Sequence, residues 1–105
     1  MKAVDAIALK EMMSRRDDFL LIDIREPHEN AAFDIGGKLM PMSELMERLD
    51  EIPTDKPVVL YCQKGIRTVI IIQRLHQRGG YNNLINLTGG VAAWMKQFPG
   101  EQQKP

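Results

Sequence analysis

Three short runs of hydrophobic residues stand out along the chain, at positions 19–24, 58–61 and 84–87. Each run is nearly unbroken by polar residues and is rich in the large and β-branched side chains that favour strands. A strand with one face toward water alternates apolar and polar residues, whereas a strand covered on both faces is apolar almost throughout. The pattern therefore predicts three strands that are buried on both faces.

The segments around these runs have hydrophobic residues at helical spacing, which predicts four helices and one short helical turn. Asp5 and Ser43 are suitable N-cap residues for the first two helices. Gly79 and Pro99 follow the last two, and glycine and proline commonly end a helix. One helix is predicted to begin at Asp5. The others are predicted from Ser43 to Ile52, from Thr68 to Arg78 and from Val91 to Phe98, with a short helix between Pro27 and Ala32.

Helices and strands alternate along the whole chain, and this order is typical of an α/β domain with a parallel sheet covered by helices on both faces. We expect a central, mostly parallel sheet of about four to five short strands. No repeat or linker divides the chain, so residues 1–100 are predicted to form a single domain. Residues 101–105 are predicted to be a solvated C-terminal tail.

Composition and charge argue against several classes of function. The 105 residues carry 14 Lys and Arg against 14 Asp and Glu, for a net charge of zero, and no basic run is present. Such a chain lacks the electrostatic footprint of a nucleic-acid or membrane-surface binder. No apolar stretch approaches the roughly 20 residues of a membrane span, and charges interrupt the N-terminal segment where a signal peptide would be apolar. We therefore expect a cytoplasmic protein, and a monomer.

Cys62 is the single cysteine, so the chain can form neither an internal disulfide nor a zinc site made of cysteines. His28 and His76 lack the spacing of metal ligands. We expect no metal ion and no organic cofactor. A lone cysteine in a reducing compartment is either a small core residue or a nucleophile.

The position of Cys62 suits a nucleophile as well as a core residue. It directly follows the second predicted strand, and in a parallel sheet that position faces the N-termini of helices. Gly65 allows the next loop to curl until its backbone N–H groups converge on one point, and Lys64 and Arg67 add positive charge. Such surroundings lower the pKa of a thiol and so produce the reactive thiolate. The alternative is packing, because a free cysteine is more often a buried core residue.

The loop from Cys62 to Thr68 has the sequence Cys-x-x-Gly-x-Arg-Thr, and here the chain resembles the single-domain rhodaneses, a family of sulfurtransferases. The resemblance extends to residues 21–26 and 88–94, so it covers most of the chain. It implies a rhodanese-like fold.

The family's site residues carry over to the matching positions. Cys62 would be the catalytic nucleophile that carries a persulfide, and Arg67 would direct its guanidinium toward Asp23 at the base of the loop. Asp23 and Arg25 would support the site as an ion pair at the end of a strand. Backbone N–H groups would hold the transferred sulfur or a bound oxyanion, in a substrate-binding loop that comprises Gln63, Lys64, Gly65, Ile66, Arg67 and Thr68.

Residues 33–41 depart from the family, which commonly has Gly-His-Ile-x-Gly-Ala in this place. The variant looks like the rhodanese domains attached to ubiquitin-like activating enzymes, which pass sulfur to small carrier proteins. An acceptor thiol or a sulfur-carrier protein is therefore an expected partner. Met40, Met42 and Met46 offer two interpretations, an adaptable docking surface or core filling, and core filling is favoured.

The resemblance implies a sulfurtransferase of sulfur metabolism, of the thiosulfate sulfurtransferase type. Cys62 would take a sulfane sulfur from thiosulfate or a persulfide donor and pass it to cyanide or a thiol. A phosphatase or arsenate reductase is an alternative, but the loops of those relatives have one residue more between Cys and Arg than the four that separate Cys62 from Arg67. A persulfide carrier or protein-binding module without free turnover is another, although inactive members typically lack the cysteine or the loop cations that this chain retains.

Overall fold

A computed structural model describes residues 1–100, and in this part of the chain a single sheet of five strands forms the centre of the fold. Residues 101–105, predicted to be a solvated tail, lie outside the described residues. The strands are β1 (Lys2–Val4), β2 (Leu20–Asp23), β3 (Lys38–Leu39), β4 (Val58–Tyr61) and β5 (Leu84–Leu87). They lie in the order β1-β5-β4-β2-β3, and every neighbouring pair is parallel. The predicted parallel α/β sheet is therefore confirmed.

Helices connect the strands, and the first two begin where the sequence predicts, but the third begins at Met42 with Pro41 as its N-cap, so the prediction of Ser43 as an N-cap is wrong. Asp5 accepts the N–H of Ala8 at 2.8 Å, which confirms Asp5 as the N-cap of the first helix. No helix within residues 1–100 has both the length and the apolar character needed to cross a membrane. The helices are α1 (Ala6–Ser14), α2 (Pro27–Ala32), α3 (Met42–Leu45), a 3₁₀-helix (Leu49–Glu51), α4 (Ile66–Arg78) and α5 (Gly90–Gln97).

β4 runs through the middle of the sheet, and all of its residues are buried. Val58 and Leu60 pack into one hydrophobic cluster with α4, while Val59 and Tyr61 pack into a second cluster with α1 and α5. This division follows from the two-residue period of a strand, which points successive side chains to opposite faces. Helices cover both faces of the sheet, as predicted.

The single helix predicted from Ser43 to Ile52 is wrong. α3 ends at Leu45, and the 3₁₀-helix forms separately after it. Arg48, between the two, has φ −122° and ψ 28°, outside the helical region. Its guanidinium donates to both carboxylate oxygens of Glu51 and to the carbonyl oxygen of Leu39 in β3. The chain therefore leaves the helical conformation at Arg48, which helical spacing does not reveal.

The three methionines near this segment have different environments. Met40 is fully buried, which confirms core filling at that position. Met42 is partly buried against the same hydrophobic cluster, whereas Met46 is 43% exposed. They therefore form no common exposed surface.

Candidate active site

Cys62 lies where the chain leaves the centre of the sheet. It directly follows β4, and the short loop after it leads into α4. Gly65 has φ +84°, a left-handed conformation that glycine adopts without steric cost, and this turn brings the chain back over the sulfur. The Gly65 N–H donates to Cys62 Sγ at 3.1 Å, and Thr68 Oγ1 lies 3.6 Å from the same sulfur.

The surroundings of the Cys62 thiol favour its ionised form. Burial raises the pKa of Cys62, but hydrogen bonds from the N–H and hydroxyl of Thr68 and from the N–H groups of Gly65 and Lys64 more than offset this, and the pKa lies below its usual value. The Thr68 hydroxyl also contacts Asn86 Oδ1. Because a hydroxyl proton can rotate, it can turn toward the sulfur when the thiol ionises. A thiolate is the form that acts as a nucleophile.

The start of α5 holds the loop from the other side. Val91 and Ala92 donate their N–H groups to the carbonyl oxygens of Cys62 and Gln63, both at 2.9 Å. Gly90 permits this close approach, since a Cβ there would lie 2.8 Å from the carbonyl carbon and oxygen of Gln63. The Gly89-Gly90 pair shortly after the third predicted strand is the sequence signal for this contact, because the carboxyl ends of parallel strands share one edge of the sheet.

A buried ion pair supports the loop from the sheet side. Arg25 Nε and Nη2 donate to the two carboxylate oxygens of Asp23 at 3.0 and 2.9 Å. Asn30 Nδ2 donates to the same carboxylate at 3.0 Å. Arg25 Nη1 reaches Gln63 Oε1 at 3.2 Å and so connects the pair to the second residue of the loop. The predicted ion pair of Asp23 and Arg25 is confirmed, with Gln63 as an additional partner.

The predicted contact between Arg67 and Asp23 is wrong. Arg67 Nη1 and Nη2 donate instead to Glu29 Oε1 and Oε2, at 2.9 and 2.8 Å. Asp23 is fully buried and already bonded to Arg25, whereas the Arg67 side chain is 34% exposed at the surface of α4. Hydrogen bonds from Arg67 lower the pKa of Glu29 to about 2. Sequence reasoning missed Glu29 because it lies 38 residues from Arg67 and no local pattern connects them.

A cavity of about 350 Å³ opens at the loop, and both the sulfur-bearing residue and its charged neighbours form its wall. Lys64 and Ile66 are exposed, Ile66 to 64%. Within residues 1–100, no three His, Cys, Asp or Glu side chains are grouped so that they could hold a metal ion. The cavity is lined by Glu29, Cys62, Gln63, Lys64, Ile66 and Arg67.

Known proteins share both the sequence pattern and the fold. Residues 5–97 match the family model of the rhodanese-like domain. The chain is 38% identical over 94 residues to a sulfurtransferase of Allochromatium vinosum, a match that covers 89% of this chain and 87% of that protein. It is 26% identical over 99 residues to the thiosulfate sulfurtransferase GlpE of Coxiella burnetii, covering 93% of this chain and 91% of the relative. The structure of reduced CoADR-RHD from Bacillus anthracis superposes with a TM-score of 0.85 at 29% identity, covering 97% of this chain and 18% of that larger one.

Proposed function

Because the chain belongs to the rhodanese-like domain family, we propose that it is a sulfurtransferase that carries sulfane sulfur as a persulfide on Cys62. The donor is thiosulfate or a persulfide, and the acceptor is cyanide, a thiol or a sulfur-carrier protein. The observation that carries the proposal is the Cys62 sulfur itself, which accepts a backbone N–H in a small cavity and has a lowered pKa. The relatives named sulfurtransferases support the same reaction class.

The first half of the reaction loads sulfur onto Cys62. The thiolate attacks the outer sulfur of thiosulfate and forms a new S–S bond, while the S–S bond of thiosulfate breaks and its electron pair leaves with sulfite. The product is a Cys62 persulfide anion. The N–H groups that surround the sulfur also favour negative charge on the outer sulfur, because donors aimed at a developing anion stabilise it.

The second half passes the outer sulfur to an acceptor. Cyanide attacks that sulfur, the persulfide bond breaks, and Cys62 is regenerated as a thiolate with thiocyanate as product. The chain has no second cysteine to attack the persulfide from within. Transfer therefore goes outward, and the kinetics are ping-pong.

The loop length supports sulfur transfer over hydrolysis of an oxyanion ester. Four residues separate Cys62 from Arg67, one fewer than in the related phosphatase and arsenate reductase loops. Arg67 is also bonded through both terminal nitrogens to Glu29. A phosphoryl group would need that guanidinium for its equatorial oxygens.

The chemistry of a single thiolate also suggests where the protein acts. The acceptor regenerates the Cys62 thiolate without a reductant, but a free thiol must be protected from oxidation between cycles, as it is in a reducing compartment. We propose that the reaction takes place in the cytoplasm and belongs to sulfur metabolism, and that the protein is a monomer.

Intact-mass spectrometry tests the proposal. Reduced protein incubated with thiosulfate, or with a small persulfide, is expected to gain the mass of one sulfur atom and to lose it on addition of cyanide as thiocyanate appears. Cys62→Ser should gain no sulfur from either donor. The matched control is thermal unfolding of the same variant, which should be close to that of the unsubstituted protein because serine is nearly the same size. Sulfur loading by Cys62→Ser, or no loading of the unsubstituted protein by any donor, contradicts the proposed function.

A further inference from the structure

The charged groups around Cys62 balance one another. The wall of the cavity contains two cations, Lys64 and Arg67, and one carboxylate, Glu29. When Cys62 is a thiolate, the formal charge of this set is zero. Arg67 uses both terminal nitrogens on Glu29, in the two-point geometry that guanidinium and carboxylate groups favour. A guanidinium engaged in this way offers little attraction to a dianion.

Glu29 is held in place by its own helix. Its Oε1 accepts the N–H of Glu26 at 3.0 Å, as one half of a capping box at the start of α2. Glu29 and Arg67 side chains are 22% and 34% exposed, so the pair is partly sheltered from water. Since the pKa of Glu29 is lowered to about 2, the carboxylate is charged at neutral pH. The position and charge of Glu29 are thus both fixed.

We propose that Glu29 sets the donor specificity of the Cys62 site, disfavouring thiosulfate and favouring persulfides whose organic part is uncharged. The inference rests on the proposed function. In thiosulfate a sulfonate is bonded directly to the transferred sulfur, and this anionic group needs the Arg67 guanidinium that Glu29 occupies. In an alkyl persulfide the corresponding group is apolar, and the exposed side chain of Ile66 provides an apolar contact.

The persulfide reaction balances without any further reactant. The Cys62 thiolate attacks the outer sulfur of R–S–SH, and a new S–S bond forms as the S–S bond of the donor breaks. The electron pair of the broken bond leaves with R–S⁻. The proton stays on the transferred sulfur, and the product is Cys62–S–SH.

The substitution Glu29→Gln tests the inference, since it removes the charge and retains an acceptor for the Glu26 N–H. The value of kcat/KM for sulfur loading is measured with thiosulfate and with the freshly made persulfide of 2-mercaptoethanol. We call the kcat/KM with thiosulfate divided by the kcat/KM with the persulfide the donor ratio. We expect the donor ratio to rise about 3- to 10-fold in Glu29→Gln, mainly through a lower KM for thiosulfate, because removing one nearby charge in a partly exposed site changes ion binding by this order.

Glu51→Gln is the matched control. Glu51 is bonded through both oxygens to Arg48 at 2.7 and 2.9 Å, and its pKa is also lowered to about 2, but it does not line the cavity. We expect this variant to leave the donor ratio unchanged. A second comparison measures the effect of Glu29→Gln in a protein that already carries Arg67→Gln. The rise in the donor ratio should be absent there, because no guanidinium is present to be released from Glu29.

The outcomes separate the two proposals. A donor ratio in Glu29→Gln that is unchanged, or that moves equally in Glu51→Gln or in the absence of Arg67, overturns the role of Glu29 while sulfur transfer stands. Failure of every donor to load the unsubstituted protein overturns the proposed function and this inference together. A rise in the ratio confined to Glu29→Gln with Arg67 present supports both.

Discussion

Asp23 and Arg25 form an ion pair with the same connectivity as Asp17 and Arg15, but in a different environment. In each pair the arginine Nε and Nη2 donate to the two oxygens of an aspartate two residues away. The first pair is almost fully buried, with side chains 0% and 2% exposed, while the second is at the surface, with side chains 37% and 58% exposed. An unpaired charge destabilises the fold only where water cannot reach it, so burial decides how much each carboxylate contributes to the free energy of unfolding.

We expect Asp23→Asn to reduce the free energy of unfolding by about 3–5 kcal/mol, because it leaves the Arg25 charge buried without its counterion. Asp17→Asn, the matched control, should leave the unfolding free energy unchanged, since its arginine is solvated. Urea denaturation of both variants is the measurement. Equal effects of the two substitutions would show that the Asp23 carboxylate is not the counterion that keeps Arg25 in the interior.

At the scale of elements, the loop after β4 is held between two helix starts. α4 begins at Ile66 and supplies the Thr68 hydroxyl to the sulfur, while α5 begins at Gly90 and binds the loop carbonyls. Gly65 also approaches the second of these starts, since a Cβ on it would lie 3.0 Å from the Gly89 nitrogen. Two glycines therefore allow the backbone of one helix start to pack against the active loop.

Gly90→Ala should destabilise the protein by about 3 kcal/mol or more, because strain at a positive φ adds to overlap with the loop backbone. We also expect slower sulfur loading of Cys62, since the loop must move to make room. Gly80→Ala is the control, because φ is positive at both glycines, 86° at Gly80 and 59° at Gly90. No atom lies within 4 Å of the new Cβ at Gly80. Its cost should be about 1 kcal/mol, without any effect on loading. Equal stability and loading of the two variants would contradict the role given to Gly90.

At the scale of the whole molecule, the strand order explains why the site forms at one edge. β4 lies between β5 and β2, and all three run in the same direction, so their carboxyl ends lie side by side. The residues that follow β2 include Arg25, the residue after β4 is Cys62, and the chain after β5 reaches Gly90. Segments far apart in the sequence thereby meet around one sulfur.

The free energy of unfolding should decrease at acidic pH, because two carboxylates have lowered pKa values in the folded protein. Hydrogen bonds from Arg67 and Arg48 lower the pKa values of Glu29 and Glu51 from 4.5 to about 2 in the folded protein. A carboxylate whose pKa is lower in the folded protein than in the unfolded protein stabilises the fold at pH values above its unfolded pKa. That stabilisation is lost as the pH falls from about 4.5 through about 2. Urea denaturation at pH 7, 4.5 and 3 is expected to give a declining unfolding free energy, with a shallower decline in Glu29→Gln. A flat profile between pH 4.5 and 3 would contradict these two pairings.

The alternation of helices and strands and the place of the reactive loop were predictable because each depends on a local pattern. Buried strands are apolar runs, helices repeat their apolar positions, and Gly65 between Cys62 and Arg67 indicates a curled loop. The edge strands β1 and β3 escaped prediction because three and two residues are too few to show a period. The interruption at Arg48 escaped prediction because Leu45, Leu49 and Ile52 keep their helical spacing across it.

The sequence by itself determined the α/β fold class and the position of Cys62 at the end of a buried strand, since these follow from residue order. Only the tertiary structure decided which charges surround the sulfur. The partner of Arg67 is Glu29 and not Asp23, because folding brings the Glu29 carboxylate of α2 within hydrogen-bond distance of Arg67 in α4 and leaves Asp23 enclosed with Arg25. Local patterns do not specify such pairings. The pairings depend on which side chains the packed sheet and helices bring within hydrogen-bond distance, and on how exposed each side chain remains to water.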